Sequence, residues 1–280
     1  MRLACIGDVH THFDDEDARQ LDAAGYDHIL FVGDLAGYVD DGRGAARHIA
    51  TLRTPAMVLP GNHDAAPIPH LAAEIMGWPA LRALYERGQG RRCAALAEAL
   101  APVPLVGYSL HVVDDGSSAV TVIAARPHSF GGATLAFQHH LEREHGIDSL
   151  EASTARLKRL VDEAPHDDIV FLAHNGPTGL GGRRHDIWGR DFHADEGDHG
   201  DPDLRAAIDH AAERGKRVRA VVAGHMHHAL KGGGERTWRL ERDGTLFVNA
   251  AVVPRHRRGR RHHVRLTLEA DHAEAVAVET

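Results

Sequence analysis

Cysteine is nearly missing from this 280-residue chain. Cys5 and Cys93 are the only two, too few for a disulfide framework, and their scarcity points to a reducing compartment. No stretch approaches the roughly 18 consecutive apolar residues of a membrane span. The opening Met1-Arg2-Leu3-Ala4-Cys5-Ile6 leaves no room for a secretory signal before the polar Gly7-Asp8-Val9-His10. Positive charge is in deficit: Lys+Arg 32 against Asp+Glu 40 gives a net charge of −8, with a pI near 6.3. Non-specific binding of nucleic acid is therefore disfavoured as the main function. Only 3 of the cations are Lys and 29 are Arg, which with the abundant Ala reads as genome bias. Repeats and low-complexity linkers are absent too.

What is present is the 43% apolar, 26% charged composition of a globular protein and 24 histidines, several times the ordinary share. These features together predict a cytoplasmic α/β protein of one domain spanning 1–280. Because free histidines titrate near pH 6.5, the net charge should approach zero just below neutrality. Solubility should then be lower near pH 6 than near pH 8.

Five short apolar runs, at 3–6, 29–32, 57–59, 169–173 and 220–223, have the length and β-branched content of buried strands. Helical patterns at 16–24 and 44–52 separate the first three, while those at 153–164 and 203–214 precede the fourth and fifth. For the last helix, Asp201 fits the N-cap and Pro202 the first turn. Such alternation predicts a largely parallel sheet with helices on its faces. The turn-forming 114–118 cluster between two alternating segments predicts a β-hairpin over about 105–125. With strand-like pieces at 237–241, 246–249, 263–269 and 273–278, that hairpin would build a second sheet packed on the first. A helical insertion is expected at about 70–100 and a long loop at 175–201.

Each apolar run delivers metal-ligand residue types at its end. They are Asp8 and His10, then Asp34, then Asn62 and His63 with Asp64, then His174, then His225 and His227. Ligands of an open α/β sheet gather beyond the carboxyl ends of the strands, so these side chains should share one rim. Glycines at 33, 61 and 224 would relieve the backbone where it turns into the loops. Imidazoles, carboxylates and one carboxamide suit Mn, Fe or Zn, whereas Mg or Ca would draw mostly oxygen. Asp34 could bridge two ions roughly 3.5–4 Å apart.

In order, Asp8-x-His10, Gly33-Asp34, Gly61-Asn62-His63-Asp64, His174 and Gly224-His225-x-His227 resemble the five signature blocks of the calcineurin-like metallophosphoesterases. The resemblance implies a four-layer α-β-β-α sandwich, two mixed sheets flanked by helices, with a dimetal site at the strand C-terminal rim. It also implies phosphate-ester hydrolysis by in-line attack of a water acidified between two divalent transition-metal ions. One ion would take Asp8, His10, Asp34 and His227, and the other Asp34, Asn62, His174 and His225. His63 would protonate the leaving oxygen. Four stretches look closer still to the DevT-like subgroup, which includes a manganese-dependent protein phosphatase: Phe31-Val32-Gly33-Asp34, Ala173-His174-Asn175-Gly176-Pro177-Thr178-Gly179, Gly200-Asp201-Pro202-Asp203-Leu204 and Gly224-His225-Met226-His227-His228. Manganese, and a phosphoprotein or small phosphoester as substrate, are what that likeness implies; a nucleotide or cyclic-nucleotide phosphodiesterase is the alternative.

The chain departs from the family's protein phosphatases at Gly37, where those enzymes carry the Asp that orients the catalytic His. Asp64 could supply part of that orientation, and Arg126, Arg183 or Arg190 the phosphate clamp. Asp8-Val9-His10-Thr11-His12 also resembles the opening of the barrel-shaped PHP phosphoesterases and amidohydrolases, but Gly61-Asn62-His63-Asp64 is not needed there. A scaffold that only binds partners would not require the full set of ligand types and His63. The loop at 181–201, with His185, His193, His199 and its acids, could cover the site or simply be solvated. The Arg run at 255–261 reads as a solvated turn between strands, and the pairs His139-His140 and His262-His263 as surface residues.

Overall fold

In the computed structural model of the chain, which describes residues 1–192 and 195–280, all five apolar runs are buried strands. His193 of the acidic loop lies outside the described residues. The chain begins with β1 (Arg2–Ile6), α1 (Asp15–Ala23), β2 (His28–Phe31), α2 (Arg43–Ile49) and β3 (Ala56–Val58). Next come the single turn α3 (Asn62–Ala65), α4 (Ile68–Met76) and α5 (Pro79–Leu100). The hairpin β4 (Ser109–Asp114) and β5 (Ala119–Ala124) precedes α6 (Gln138–His145), α7 (Leu150–Glu163), β6 (Asp168–Leu172), α8 (Pro202–Glu213) and β7 (Arg217–Ala223). The end is all strand: β8 (Arg239–Arg242), β9 (Thr245–Asn249), β10 (His256–Arg257), β11 (Arg260–Leu268) and β12 (Ala273–Glu279).

Local chemistry explains the boundaries. The Asp14 carboxylate accepts from the backbone N–H groups of Glu16 and Asp17, and Asp17 returns a bond to the Asp14 N–H, so α1 starts with a capping box. In the β4–β5 turn, Asp115 Oδ1 accepts from the N–H groups of Ser117 and Ser118, both at 2.8 Å. Among the described residues no helix is long and apolar enough to cross a membrane.

The strands form two six-stranded mixed sheets. One runs β10-β11-β1-β2-β3 with β12 also on β11, and the other β4-β5-β6-β7-β9-β8. The central strands β1-β2-β3 and β5-β6-β7-β9 are parallel, with antiparallel strands beside them. This division corrects the sequence expectation. The five apolar runs do not share one sheet: three enter the first and two the second. The C-terminal pieces are split as well, β8 and β9 joining β7 while β11 pairs with β1 in the register Leu3↔Leu266. A buried strand has the same composition in either sheet, so only these long-range backbone hydrogen bonds decide membership.

Alternation along the strands then builds the layers. Leu3, Cys5, Leu30 and Val32 face Val122, Val170, Leu172, Val222 and Val248 in the core between the sheets. Ala4, Ile6, Ile29 and Phe31 point outward under α1, α2 and α5, packing on Leu21, Ile49, Leu96 and Leu100. On the far side Ile123, Ile169, Phe171 and Val221 lie under α7 and α8, against Leu157, Leu160, Leu204 and Ile208. The result is helix, sheet, sheet, helix. Both sheets are covered on both faces, which is why their central strands read as continuous apolar runs.

Candidate metal centre

The carboxyl ends of β1, β2, β6 and β7, with the turn after β3, converge on one point. Asp8, His10 and His227 bring a donor atom each within 4.8 Å of one another, and Asp34, His174 and His225 do the same. Asp34 stands between the groups: its Oδ2 is 3.8 Å from His10 Nε2 and its Oδ1 3.6 Å from His174 Nε2. Asn62 Oδ1 is 2.9 Å from the same His174 nitrogen. Every sequence-derived ligand candidate is thus at one site. His12 is not: its Nδ1 is 2.8 Å from the His10 carbonyl and its ring sits edge-on to His256.

Three of these residues, His10, Asp34 and His225, hold left-handed backbone at φ 41°, 49° and 64°, a strained conformation that clusters at functional sites. The neighbouring glycines serve mainly close approach. Gly33 does adopt φ 105°. A Cβ on Gly61, however, would lie 2.1 Å from Asp34 Oδ1, and one on Gly224 2.3 Å from Asp8 Oδ1. The expectation that all three relieve a sharp turn is corrected: two of them make room for carboxylates.

Outer partners fix the ring orientations. His10 Nδ1 donates to the Ala36 carbonyl at 3.0 Å and His174 Nδ1 to the Val32 carbonyl at 2.7 Å. Each therefore turns its Nε2 inward, the arrangement of metal-ligating histidines. His10 Nε2 then faces His227 Nε2 at 3.4 Å, and His174 Nε2 faces an amide oxygen. Asp8 Oδ2 is buried, 3.3 Å from His227 Nε2, and closes no hydrogen bond among the described residues. Ring nitrogens and amide and carboxylate oxygens converging on one point, with one carboxylate oxygen orphaned, are what a pair of cations would satisfy. The donor chemistry fits the ions implied by the sequence.

The electrostatics agree. Burial would raise the Asp8 carboxyl, but the adjacent His227 and the charges of His174 and His10 hold it below the usual carboxylate range. Burial would lower His174 and His227; Asp34 and Asp8 around the first, and Asp8 beside the second, raise them instead. The site favours positive charge. His225, buried beside His174, is pushed far down and stays neutral, the ligating form.

His63 stands at the edge of the cluster. Its ring meets His10 and Tyr38 edge-on, at 5.1 and 5.5 Å between centroids, and its backbone N–H donates to Asp34 Oδ1. Burial lowers its pKa, and its Nδ1 is buried without a partner among the described residues. Among those residues no carboxylate orients this ring, in keeping with Gly37. Asp64, a candidate for that task, does something else: Oδ1 accepts the Ala36 N–H at 2.9 Å and Oδ2 the Gly61 N–H at 2.8 Å. Its burial, together with the nearby Asp34 charge, pushes its carboxyl up to about 6. Asp64 braces two backbone segments instead of the imidazole.

The three candidate clamp arginines differ. Arg126 is buried and pairs with Asp201 Oδ1 and Asp203 Oδ2, both at 2.9 Å, so its guanidinium is already saturated. Arg190 Nε donates to the Asp195 carbonyl within its own loop. Arg183 is exposed on that loop. Sequence reasoning missed Arg92, whose Nε and Nη2 donate to the carbonyls of Asp64 and His63 at 3.1 and 3.2 Å. Nothing in an Ala/Arg-rich helix marks one arginine as the one beneath α3.

Between β6 and α8 the described residues form neither helix nor strand. Asn175 Nδ2 donates to the His199 carbonyl at 2.8 Å, and the His199 ring stacks on His225, 6.1 Å between centroids. The far end of the acidic loop is thereby laid against the centre. The other surface expectations need correction. His140 and His263 are buried, and His263 Nε2 is 2.7 Å from the Tyr26 hydroxyl. Arg255 of the basic run is buried against Asp17 at 2.7 Å.

The family model described as calcineurin-like phosphoesterase matches residues 1–229. The solved structure of TT1561 from Thermus thermophilus is similar with a TM-score of 0.55 at 13% identity, covering 98% of this chain and 97% of that one. The sulfate thiohydrolase SoxB of Thermus thermophilus, in complex with glycerol, is similar with a TM-score of 0.50 at 15% identity, covering 95% of this chain and 40% of that one. Both are likenesses of fold. No curated protein matches the chain by sequence.

Proposed function

The chain belongs to the calcineurin-like phosphoesterase family, and on that premise we infer that it hydrolyses a phosphate ester at a centre of two divalent transition-metal ions. Asp8, His10, Asp34 and His227 would hold one ion, and Asp34, Asn62, His174 and His225 the other. The observation that carries this reading is the Asp34 carboxylate, set with one oxygen towards each of two adjoining donor groups. When bound, the ions supply charge that neutralises phosphoryl oxygens and acidifies water.

The chain's own groups do the rest. Backbone carbonyls at Val32 and Ala36 hold two of the imidazoles in the ligating tautomer. His63, apart from the donor groups and with an unpaired Nδ1 among the described residues, would protonate the leaving oxygen, a role typically contributing 10²–10⁴-fold. Of the three candidate clamps, Arg183 is the one exposed on the loop after His174. The mixed nitrogen and oxygen donors support manganese, with iron or zinc as substitutes. The resemblance to the DevT-like stretches supports a phosphomonoesterase acting on a phosphoprotein or small phosphoester, and the lack of a low-complexity linker supports one domain over 1–280. Two free cysteines, one of them buried, support a cytoplasmic setting.

Metal analysis and a substrate panel test this. The purified protein should carry about two transition-metal ions per chain and hydrolyse p-nitrophenyl phosphate when manganese is supplied. Turnover of bis(p-nitrophenyl) phosphate alone would replace the monoesterase reading by the phosphodiesterase one. Metal-replete protein inert towards a broad mono- and diester panel would sink the catalytic reading.

A further inference from the structure

A cavity of about 380 Å³ opens between α5, the start of α2 and the segment joining α3 to α4. Three arginines, Arg43, Arg91 and Arg92, line it together with Asp41, whose carboxylate accepts from Arg43 Nε at 2.7 Å. In a chain of net charge −8 this is a local reversal of sign. Two of its lining side chains are buried and lack hydrogen bonds among the described residues: Gln89 at Nε2 and His70 at both ring nitrogens. His70 Nε2 lies 3.5 Å from Glu74 Oε1, which Arg82 Nε also approaches at 3.1 Å, so Nδ1 is the nitrogen without a counterpart among those residues. Buried polar groups are costly to leave unpaired, and both residues belong to the cavity wall.

We propose that this cavity is a second anion site, separate from the metal centre, that takes a phosphate group. Planar guanidinium forks match phosphate oxygens, and an N–H from Gln89 and one from His70 would complete the cradle. Tyr85, stacked on His70 at 5.8 Å between centroids, adds an aromatic wall for the body of a phosphorylated molecule. The cavity also shares structure with the catalytic edge. Arg92 grips the carbonyls of His63 and Asp64. The short loop before α2 carries Tyr38 against the His63 ring at one end and Asp41 in the cavity lining at the other. The phosphate could be a free ion or the second phosphate of a bisphosphorylated substrate running from His63 over Tyr38.

Equilibrium dialysis of the metal-loaded protein against labelled inorganic phosphate reads the site without any turnover. Arg43→Ala/Arg91→Ala, both at the surface, should bind one ion fewer per chain than wild type. Gln89→Leu should weaken that same ion at least tenfold. Equal stoichiometry and affinity in wild type and both variants would overturn the proposal. A kinetic arm, which rests on the phosphoesterase reading, separates the two sources. It compares KM for a ribonucleoside 3′,5′-bisphosphate with KM for p-nitrophenyl phosphate. A tenfold rise of that ratio in the double variant identifies the substrate's second phosphate. An unchanged ratio with the bound ion lost identifies free phosphate.

Discussion

Asp34 has both carboxylate oxygens engaged, one bonded to the His63 N–H and facing His174, the other facing His10. Asn at this position keeps the shape but removes the charge and makes one terminal atom a donor. Asp34→Asn should therefore lose bound metal, measured as ions per chain after dialysis. His63→Ala should keep the metal and lower kcat by about 10²-fold or more. Loss of metal from His63→Ala would contradict its separate role. At this scale the residue types at the strand ends were legible in the sequence, because catalysis at one point demands them. Their outer partners were not: Val32 and Ala36 act through carbonyl oxygens that any residue possesses. Nor was the use of Gly61 and Gly224, since absence of a Cβ reads the same whether it serves a turn or a neighbouring carboxylate.

Arg126 shows how an element depends on contacts far along the chain. It joins the end of β5 to the start of α8 through Asp201 and Asp203, while Ser129 and Asn175 also donate to Asp201. The sequence signal of Asp201 as an N-cap placed the helix start correctly, yet its carboxylate makes no capping bond. It turns instead to the buried guanidinium. Arg126→Met should strand two buried carboxylates and destabilise the fold by about 3–5 kcal/mol, read from urea denaturation. A loss below about 1 kcal/mol would show that the network contributes little. Helices and the hairpin were legible because caps, turns and periodicity are local. The allotment of strands to sheets was not, because Leu3 meets Leu266 only through chain reversal over the whole molecule.

Across the whole molecule, burial changes what the histidine surplus means. Among the described residues, eleven histidines are held below their ordinary value. Burial brings His128 and His263 down to about 3, and His28, His140 and His262 to about 4. The approach to zero net charge, and with it the solubility minimum, should lie at more acidic pH than composition suggests. The unfolded chain takes up protons near pH 6.5 where the folded one does not. The stability from these neutral rings is therefore complete above that pH and lost as pH falls towards 3–4. Denaturant midpoints at pH 7 and pH 5 should fall for wild type, and fall less for His263→Phe; equal slopes would refute the assignment. The sequence by itself determined the strands and helices and the strand-end donors, because strand periodicity, turn chemistry and ligand type are properties of short segments, and the resemblance of those donor blocks to the family's signature implied the layer pattern. Tertiary structure alone decided which sheet each strand joins, which arginine is buried or lines a cavity, and which histidines stay neutral. Those depend on what the folded chain brings alongside each side chain, and on how much water it leaves there.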